Sequence, residues 1–172
     1  LFNHESPLRG LEFVTRKITG ALARMSVTGE GELVLGNLNA QRDWGFAGDY
    51  MRAAHLMMLQ DEPDDFVIAS GQTRSVRDFV NAAAAAVDIE IEWTGEGVNE
   101  VGHCKKSGRP MVSVSEKFWR PAEVDLLLGD PAKAQKQLGW KTEVNFDELV
   151  RRMVEADVAR VEADRLPESD AH

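Results

Sequence analysis

The sequence predicts an α/β fold, and three observations carry that prediction. Short apolar runs, Leu33-Val34-Leu35, Phe66-Val67-Ile68-Ala69 and Met111-Val112-Ser113-Val114, read as strands. They alternate with stretches whose apolar residues recur at three and four, the amphipathic-helix pattern. The chain also opens on Leu1-Phe2, the tail of a strand, followed by a polar loop with Asn3, His4, Ser6 and Arg9 that is broken by Pro7 and Gly10. Loops at strand ends are where open α/β sheets take ligands. A strand tail with no chain ahead of it is expected to belong to a fold that starts elsewhere.

Taken in order, a helix is expected over 13–24, with Phe13, Val14, Ile18, Ala21 and Leu22 on one side and Thr15, Arg16 and Lys17 in its first turn. Gly29-Glu30-Gly31 turns into the strand at 33–35, which Gly36-Asn37 ends. A turn at 39–41 leads to Arg42-Asp43-Trp44-Gly45. The next helix, 47–59, places Tyr50, Met51, Ala54, Met57 and Met58 on its apolar face. After the strand at 66–69, Ser75 is a good N-cap with Asp78 three residues on. Val76, Phe79, Val80, Ala83 and Val87 continue as one stripe through an alanine run of high helix propensity. Ile89-Glu90-Ile91-Glu92-Trp93 alternates like a half-buried strand. From 94 to 110 the pattern fails, and an irregular excursion is expected. Asp130-Pro131 starts a helix that Gly139 ends. Asn145 caps the last helix, on which Phe146, Leu149, Val150 and Met153 face inward, and 164–172 is a polar end.

The 172 residues suit one domain or two small lobes, and 43% hydrophobic residues is ordinary for a globular chain. No window approaches ~18 consecutive apolar residues, so no membrane span is expected, and the start lacks a secretory pattern. The lone cysteine, Cys104, cannot form an internal disulfide and fits the cytoplasm. A net charge of −9 argues against nucleic acid. It leaves room for a small phosphate ligand held by a local cluster of cations.

Basic residues gather at three places: Arg9 with Arg16 and Lys17 near Asn3; Arg42; and Arg120 in Phe118-Trp119-Arg120-Pro121-Ala122-Glu123. A pyrophosphate needs cationic donors from different segments, and guanidinium groups bond phosphate oxygens in pairs. Glu123 can accept from the hydroxyls of a ribose or sugar, and Asn3 can donate to a phosphate or a sugar oxygen. Each feature has a plainer reading. Arg42-Asp43 reads equally as a surface ion pair, and Arg120 with Glu123 as a helix pair. His4 reads as a hydrogen-bonded loop residue, Lys17 as a solvated lysine, and Met57, Met58 and Trp119 as core. His103-Cys104 has no partners at metal-ligand spacing, and neither Cys104 nor any serine has a nucleophile's setting.

Residues 1–7 and 13–18, Leu35-Gly36-Asn37, Arg42-Asp43-Trp44-Gly45, 65–69 and 120–140 closely resemble GDP-mannose 4,6-dehydratases, extended members of the short-chain dehydrogenase/reductase superfamily. The likeness runs from residue 1 to about 155. The Arg-Asp-Trp turn and the Gly-Asp-Pro stretch ahead of Leu-Gly-Trp recur across sugar-nucleotide enzymes; the Asn-His-Glu-Ser-Pro loop with Val-Thr-Arg-Lys-Ile points to this family. The resemblance implies a Rossmann-like α/β fold with a mixed α/β substrate lobe, NADP as cofactor, GDP-mannose as substrate and a homo-oligomer, dimer or tetramer. It implies that His4 and Arg9 approach the cofactor and that Asn3 lies beside the substrate phosphates. Val14 and Lys17 would contact the GDP end, Gly36 would line the nucleotide pocket, Arg42 and Arg120 would hold the pyrophosphate, and Glu123 the ribose. Leu8 stands where the family commonly carries a second arginine, and the region 101–109 is shorter than in some members.

The family reaction oxidises the hexose at C4, removes water across C5 and C6, and returns the hydride to C6. It needs a glycine-rich phosphate loop, a tyrosine four residues before a lysine, and a threonine and glutamate for proton transfer. The single tyrosine here, Tyr50, is followed four residues later by Ala54. Gly95, Gly97 and Gly102 have the wrong spacing for a phosphate loop. The expectation is therefore that 1–172 is the C-terminal, substrate-binding portion of such an enzyme, inactive alone and without catalytic residues of its own. The alternatives are a related epimerase or 4-reductase, and a stand-alone nucleotide-sugar binding module.

Overall fold

The computed structural model describes residues 1–118 and 126–164. It is mixed α/β, with short strands in three small sheets and helices packed on them. Strand β1 (Asn3–Glu5) runs parallel to β4 (Trp44–Phe46), Asn3 opposite Trp44. A four-stranded sheet has the order β2 (Leu33–Leu35), β8 (Pro110–Val114), β7 (Val101–Cys104), β6 (Ile91–Thr94). In it β2 and β8 are parallel and the other neighbours antiparallel. Strand β3 (Gln41–Arg42), in a stretch expected to be a turn, pairs antiparallel with β5 (Arg74–Ser75).

The main core lies between α1 (Val14–Thr28), α3 (Val76–Ala85), α5 (Phe146–Ala163) and the four-stranded sheet. Ile18, Leu22, Phe79, Leu149 and Met153 are fully buried there. Each such side chain stabilises the fold by roughly 1.5–3 kcal/mol relative to exposure. A second cluster joins α2 (Ala47–Met58) to α4 (Ala132–Leu138) through Tyr50, Ala53, Ile68, Leu138 and Trp140. Among the described residues no helix is long and apolar enough to cross a membrane.

Helix ends follow local chemistry. Ser75 accepts from the Asp78 amide, and Asp78 accepts from the Ser75 amide, a complete capping box. Asn145 accepts from the Glu148 amide. Helix α1 runs four residues beyond the expected 24, to Thr28, and stops at Gly29 with φ 74°, a left-handed conformation glycine adopts without strain. Asp130 accepts from the Ala132 amide to start α4.

Several expectations are corrected. Residues 66–69 are not a strand: Ile68 and Ala69 are buried, but among the described residues the segment's ladder contact is a single bond from the Phe2 amide to the Ile68 carbonyl, 2.9 Å. Leu1-Phe2 likewise lies ahead of β1. The stretch 94–110 holds a strand, β7, hidden by its glycines. Gly102 lies beneath Trp93 and Ile91, where a Cβ would come within 3.0 Å of the indole ring, so the missing side chain makes room for a large neighbour. On α2 the buried face runs through Asp49, Tyr50 and Ala53, whereas Met51 and Met58 are exposed. Asp49 caused the shift: it is drawn inward to accept from the Glu143 and Val144 amides.

The loop after β1 is tied down by a buried acid. Glu5, 2% exposed, accepts from the Thr15 hydroxyl at 2.6 Å and lies 3.3 Å from Arg9 Nε. Burial raises its pKa, with Thr15, Arg9 and His4 opposing. Replacing Ser75 by alanine should lower the free energy of unfolding by about 1 kcal/mol, read from urea denaturation. For Glu5 the native state binds its proton more tightly than the unfolded chain, so its contribution is greatest below the ordinary carboxylate value and fades as the pH rises through the elevated one. Wild type should therefore gain stability relative to Glu5→Gln between pH 7 and pH 4.5. Thermal melts at both pH values check the sign.

Candidate functional site

The start of β1 and the carboxyl end of β2 open onto a cleft of about 770 Å³. Asn3 and His4 reach it from β1, Arg9 from the loop after β1, Val14 and Lys17 from the first turns of α1, Gly36 and Asn37 from the end of β2, and Arg42 from β3. Every predicted site residue among the described ones thus lines one space. Arg120 and Glu123 lie outside the described residues.

His4 Nδ1 is 2.9 Å from the Phe2 carbonyl oxygen. A carbonyl only accepts, so Nδ1 carries the hydrogen and a neutral ring keeps Nε2 as an acceptor. The ring sits 5.4 Å from that of Tyr50, whose buried hydroxyl has no hydrogen-bond partner among the described residues. Burial raises the Tyr50 pKa, with Asp43, Asp49 and Glu5 adding to it, so the phenol stays protonated.

Two cations stand against aromatic faces. The Arg9 guanidinium lies 3.4 Å from the centre of the Phe13 ring, and Lys17 Nζ 3.7 Å from that of Phe118. Arg9 Nε is buried 3.3 Å from the Glu5 carboxylate and, among the described residues, makes no hydrogen bond of good geometry. Burial lowers the Lys17 pKa. A cation stripped of part of its water and facing an aromatic ring binds an entering anion more strongly than a solvated one. Gly36 is required by close approach: a Cβ there would run into the Phe118 carbonyl. The glycine therefore lets the segment bearing Lys117 and Phe118 close over the end of β2.

Arg42 donates to the Gln41 carbonyl at 2.8 Å. Asp43 is turned the other way, fully buried and accepting from the Ser70, Gly71 and Gly129 amides. The plain reading of Arg42-Asp43 as a surface ion pair therefore fails on the aspartate. Arg16 is also corrected. It is 6% exposed and points away from the cleft to Asp157. Sequence reasoning missed Phe13, Asn37, Trp44, Val76 and Lys117 as lining residues. Only Phe13 carried a signal, an exposed aromatic between the two cations Arg9 and Lys17.

One other groove contrasts with this cleft. A groove of about 890 Å³ at the far ends of α1, α3 and α5 is lined by Asp88, Glu155 and Glu162 and by no lysine or arginine, which disfavours an anion. Among the described residues no group of three His, Cys, Asp or Glu is placed to hold a metal ion. His103 instead faces the Thr94 hydroxyl at 3.4 Å.

Comparison with known proteins follows the same line. The family model described as GDP-mannose 4,6 dehydratase matches residues 1–153. The chain is 52% identical over 158 residues to the GDP-mannose 4,6 dehydratase of Dictyostelium discoideum, covering 92% of this chain and 44% of that protein. It is 49% identical over 165 residues to that of Sinorhizobium fredii, covering 96% and 47%. It therefore spans less than half the length of these curated relatives. Among solved structures it is similar to RMD from Pseudomonas aeruginosa complexed with NADPH, with a TM-score of 0.73 at 20% identity over 92% of this chain and 46% of that one. It is also similar to the UDP-glucose 4-epimerase of Thermotoga maritima with UDP-glucose, with a TM-score of 0.67 at 21% identity over 94% and 45%. These likenesses show the extended short-chain dehydrogenase/reductase fold, and the match over 1–153 shows that the chain belongs to the GDP-mannose 4,6-dehydratase family.

Proposed function

We propose that this chain is the C-terminal, substrate-binding portion of a GDP-mannose 4,6-dehydratase, the enzyme that converts GDP-D-mannose to GDP-4-dehydro-6-deoxy-D-mannose with NADP. The observation that carries the reading is the convergence of Asn3, His4, Arg9, Lys17, Gly36 and Arg42 on one cleft, onto which the carboxyl end of the parallel-paired strand β2 opens. That is where an α/β fold takes a nucleotide.

In this reading Arg42, with Arg120, neutralises the pyrophosphate by paired hydrogen bonds. Lys17 and Val14 hold the GDP end, Asn3 donates to a phosphate or sugar oxygen, and Glu123 accepts from the ribose. The backbone at Gly36 lines the nucleotide pocket. His4 and Arg9 face the cofactor. The Arg9 guanidinium, anchored through Nε on Glu5, and a His4 Nε2 able to accept from a ribose hydroxyl suit a polar dinucleotide. When bound, NADP supplies the hydride acceptor and donor. This chain's residues bind and orient the sugar nucleotide, and the groups that move protons at C4, C5 and C6 belong to the other half of the enzyme. Orientation of this kind is itself a large part of catalysis. The lone cysteine supports a cytoplasmic setting. Leu8 and Leu11, 88% and 71% exposed on the loop beside the cofactor wall, support a homo-oligomer with a contact there.

Competition among GDP-, UDP- and dTDP-sugars separates this reading from an epimerase or 4-reductase acting on other nucleotides. A clear preference for GDP is expected, and equal affinity overturns it. Activity is read on a chimaera in which this segment replaces its counterpart in the Cricetulus griseus relative, 53% identical over 158 residues. In that enzyme Arg42→Ala and Arg120→Ala should each weaken GDP-mannose binding by more than ~1 kcal/mol, the loss of a charge-assisted contact. Calorimetric titration checks it, and unchanged affinity removes the residue from the site. Gly36→Ala should push Phe118 off the end of β2 and weaken GDP binding by about 1 kcal/mol or more, with a smaller effect on NADPH binding.

A further inference from the structure

Behind the cleft, where α5 crosses α1, a second charge cluster takes no part in lining it. Its centre is Asp157, 3% exposed. Its carboxylate accepts from Arg16 Nη2 at 2.8 Å and Nε at 3.2 Å, from the Thr19 hydroxyl at 2.6 Å and from Arg160 Nη1 at 2.7 Å. The packing of α1 on α5 already rests on Leu22, Met153 and other buried apolar side chains, so the cluster is more than that contact requires.

What the cluster does besides is hold a loop. Arg16 Nη1 donates to the carbonyls of Pro7 at 2.8 Å and Arg9 at 2.6 Å, and Arg160 Nη2 donates to Pro7 at 2.8 Å. The loop's own bonds are few: the Arg9 amide to the Ser6 carbonyl and the Leu8 amide to the Ser6 hydroxyl. Pro7 has no N–H to give, and Leu8 lies in solvent, so the loop has little packing of its own. Apart from the hold of Glu5 on the Arg9 side chain, its backbone is placed by the two guanidinium groups, and they by Asp157.

We infer that Asp157 is a positioning residue for the cofactor wall of the cleft: through Arg16 and Arg160 it fixes the carbonyls of Pro7 and Arg9, and so where Arg9 stands beside His4. The assignment of that wall to the cofactor rests on the function proposed above; the mechanical link does not. Asp157 touches no ligand in this scheme.

The test has two readouts. Hydrogen exchange is followed on the 172-residue chain as wild type, Asp157→Asn and Arg160→Ala, and NADPH and GDP affinities are measured on the chimaera carrying the same changes. In Asp157→Asn, exchange at the amides of residues 8–10 should rise about tenfold while α3 and the β7–β8 hairpin keep their protection. NADPH affinity should fall about tenfold with GDP affinity within about twofold, because Lys17 and Arg42 are not on the loop. Asp157→Glu should restore part of both. Arg160 is half exposed and its loss leaves Arg16 and Thr19 on Asp157, so Arg160→Ala stays folded and should give a smaller change of the same sign. It decides the matter if Asp157→Asn does not fold. Exchange that rises in α1 and α5 but not at 8–10, or a loosened loop with unchanged NADPH affinity, overturns the inference. A wild-type chimaera that binds neither NADPH nor GDP overturns the proposed function instead, and the loop exchange still decides the link from Asp157.

Discussion

The structure depends on buried carboxylates that are surrounded by donors. A carboxylate removed from water is tolerated only when hydrogen bonds replace its hydration. This chain meets that condition at Glu5, Asp43, Asp49 and Asp157, each at most 3% exposed. Asp43 gathers the amides of Ser70, Gly71 and Gly129. Asp49 gathers those of Glu143 and Val144, and its own carbonyl accepts from the Trp140 indole. Glu5 and Asp157 tie the loop after β1 from its two sides. In every case an acid on or beside a regular element fixes a neighbouring stretch from within. Strands of two to five residues cannot define a cleft by themselves; these acids supply the missing constraints.

The same rule explains what the sequence could and could not reveal. Helix starts at Ser75 and Asn145 and the stop at Gly139 are local events, decided within four residues, and they are readable. The strand at 33–35 is readable because its apolar run has turns on both sides. The hubs are not local. Arg16 and Asp157 are 141 residues apart, and no spacing rule joins them, so Arg16 looks like one more cation beside Lys17 when it is in fact internal. The face of α2 was misjudged for the same reason, since Asp49 is polar by composition and buried by its distant partners. Strand β7 was hidden because glycine reads as a breaker, while Gly102 serves to seat Trp93. The segment at 66–69 has a strand's composition, but a strand is defined by its neighbours, and it has one bond to Phe2.

The grouping of the site residues was readable from family resemblance and not from charge. A chain of net charge −9 gives no general attraction for phosphate. What makes the cleft cationic is that Arg9, Lys17 and Arg42 reach it from three segments, while acids line the groove at the far ends of the helices. Over distances beyond about 10 Å the surrounding acids are screened by salt, so the local arrangement governs. Phe13 and Phe118 sharpen it. Their rings shield one side of a cation from water without competing for its hydrogen bonds, which leaves the donors free for an anion.

This arrangement suits the orienting role proposed for the cleft. A hydride moves productively only when donor and acceptor are held within a few tenths of an ångström, and misplacement by about 1 Å costs on the order of a hundredfold in rate. A sugar bound through its diphosphate is gripped at one end, so its reacting carbons inherit whatever motion the grip allows. Rigid loops at the grip are then worth more than extra contacts at the sugar. The buried acids act there: lodged inside on their hydrogen-bond donors, they remove the freedom of the segments that carry its contacts. Tight loops without secondary structure and cations without a positive protein are thus two consequences of one choice, to place carboxylates inside and guanidinium and ammonium groups at the mouth.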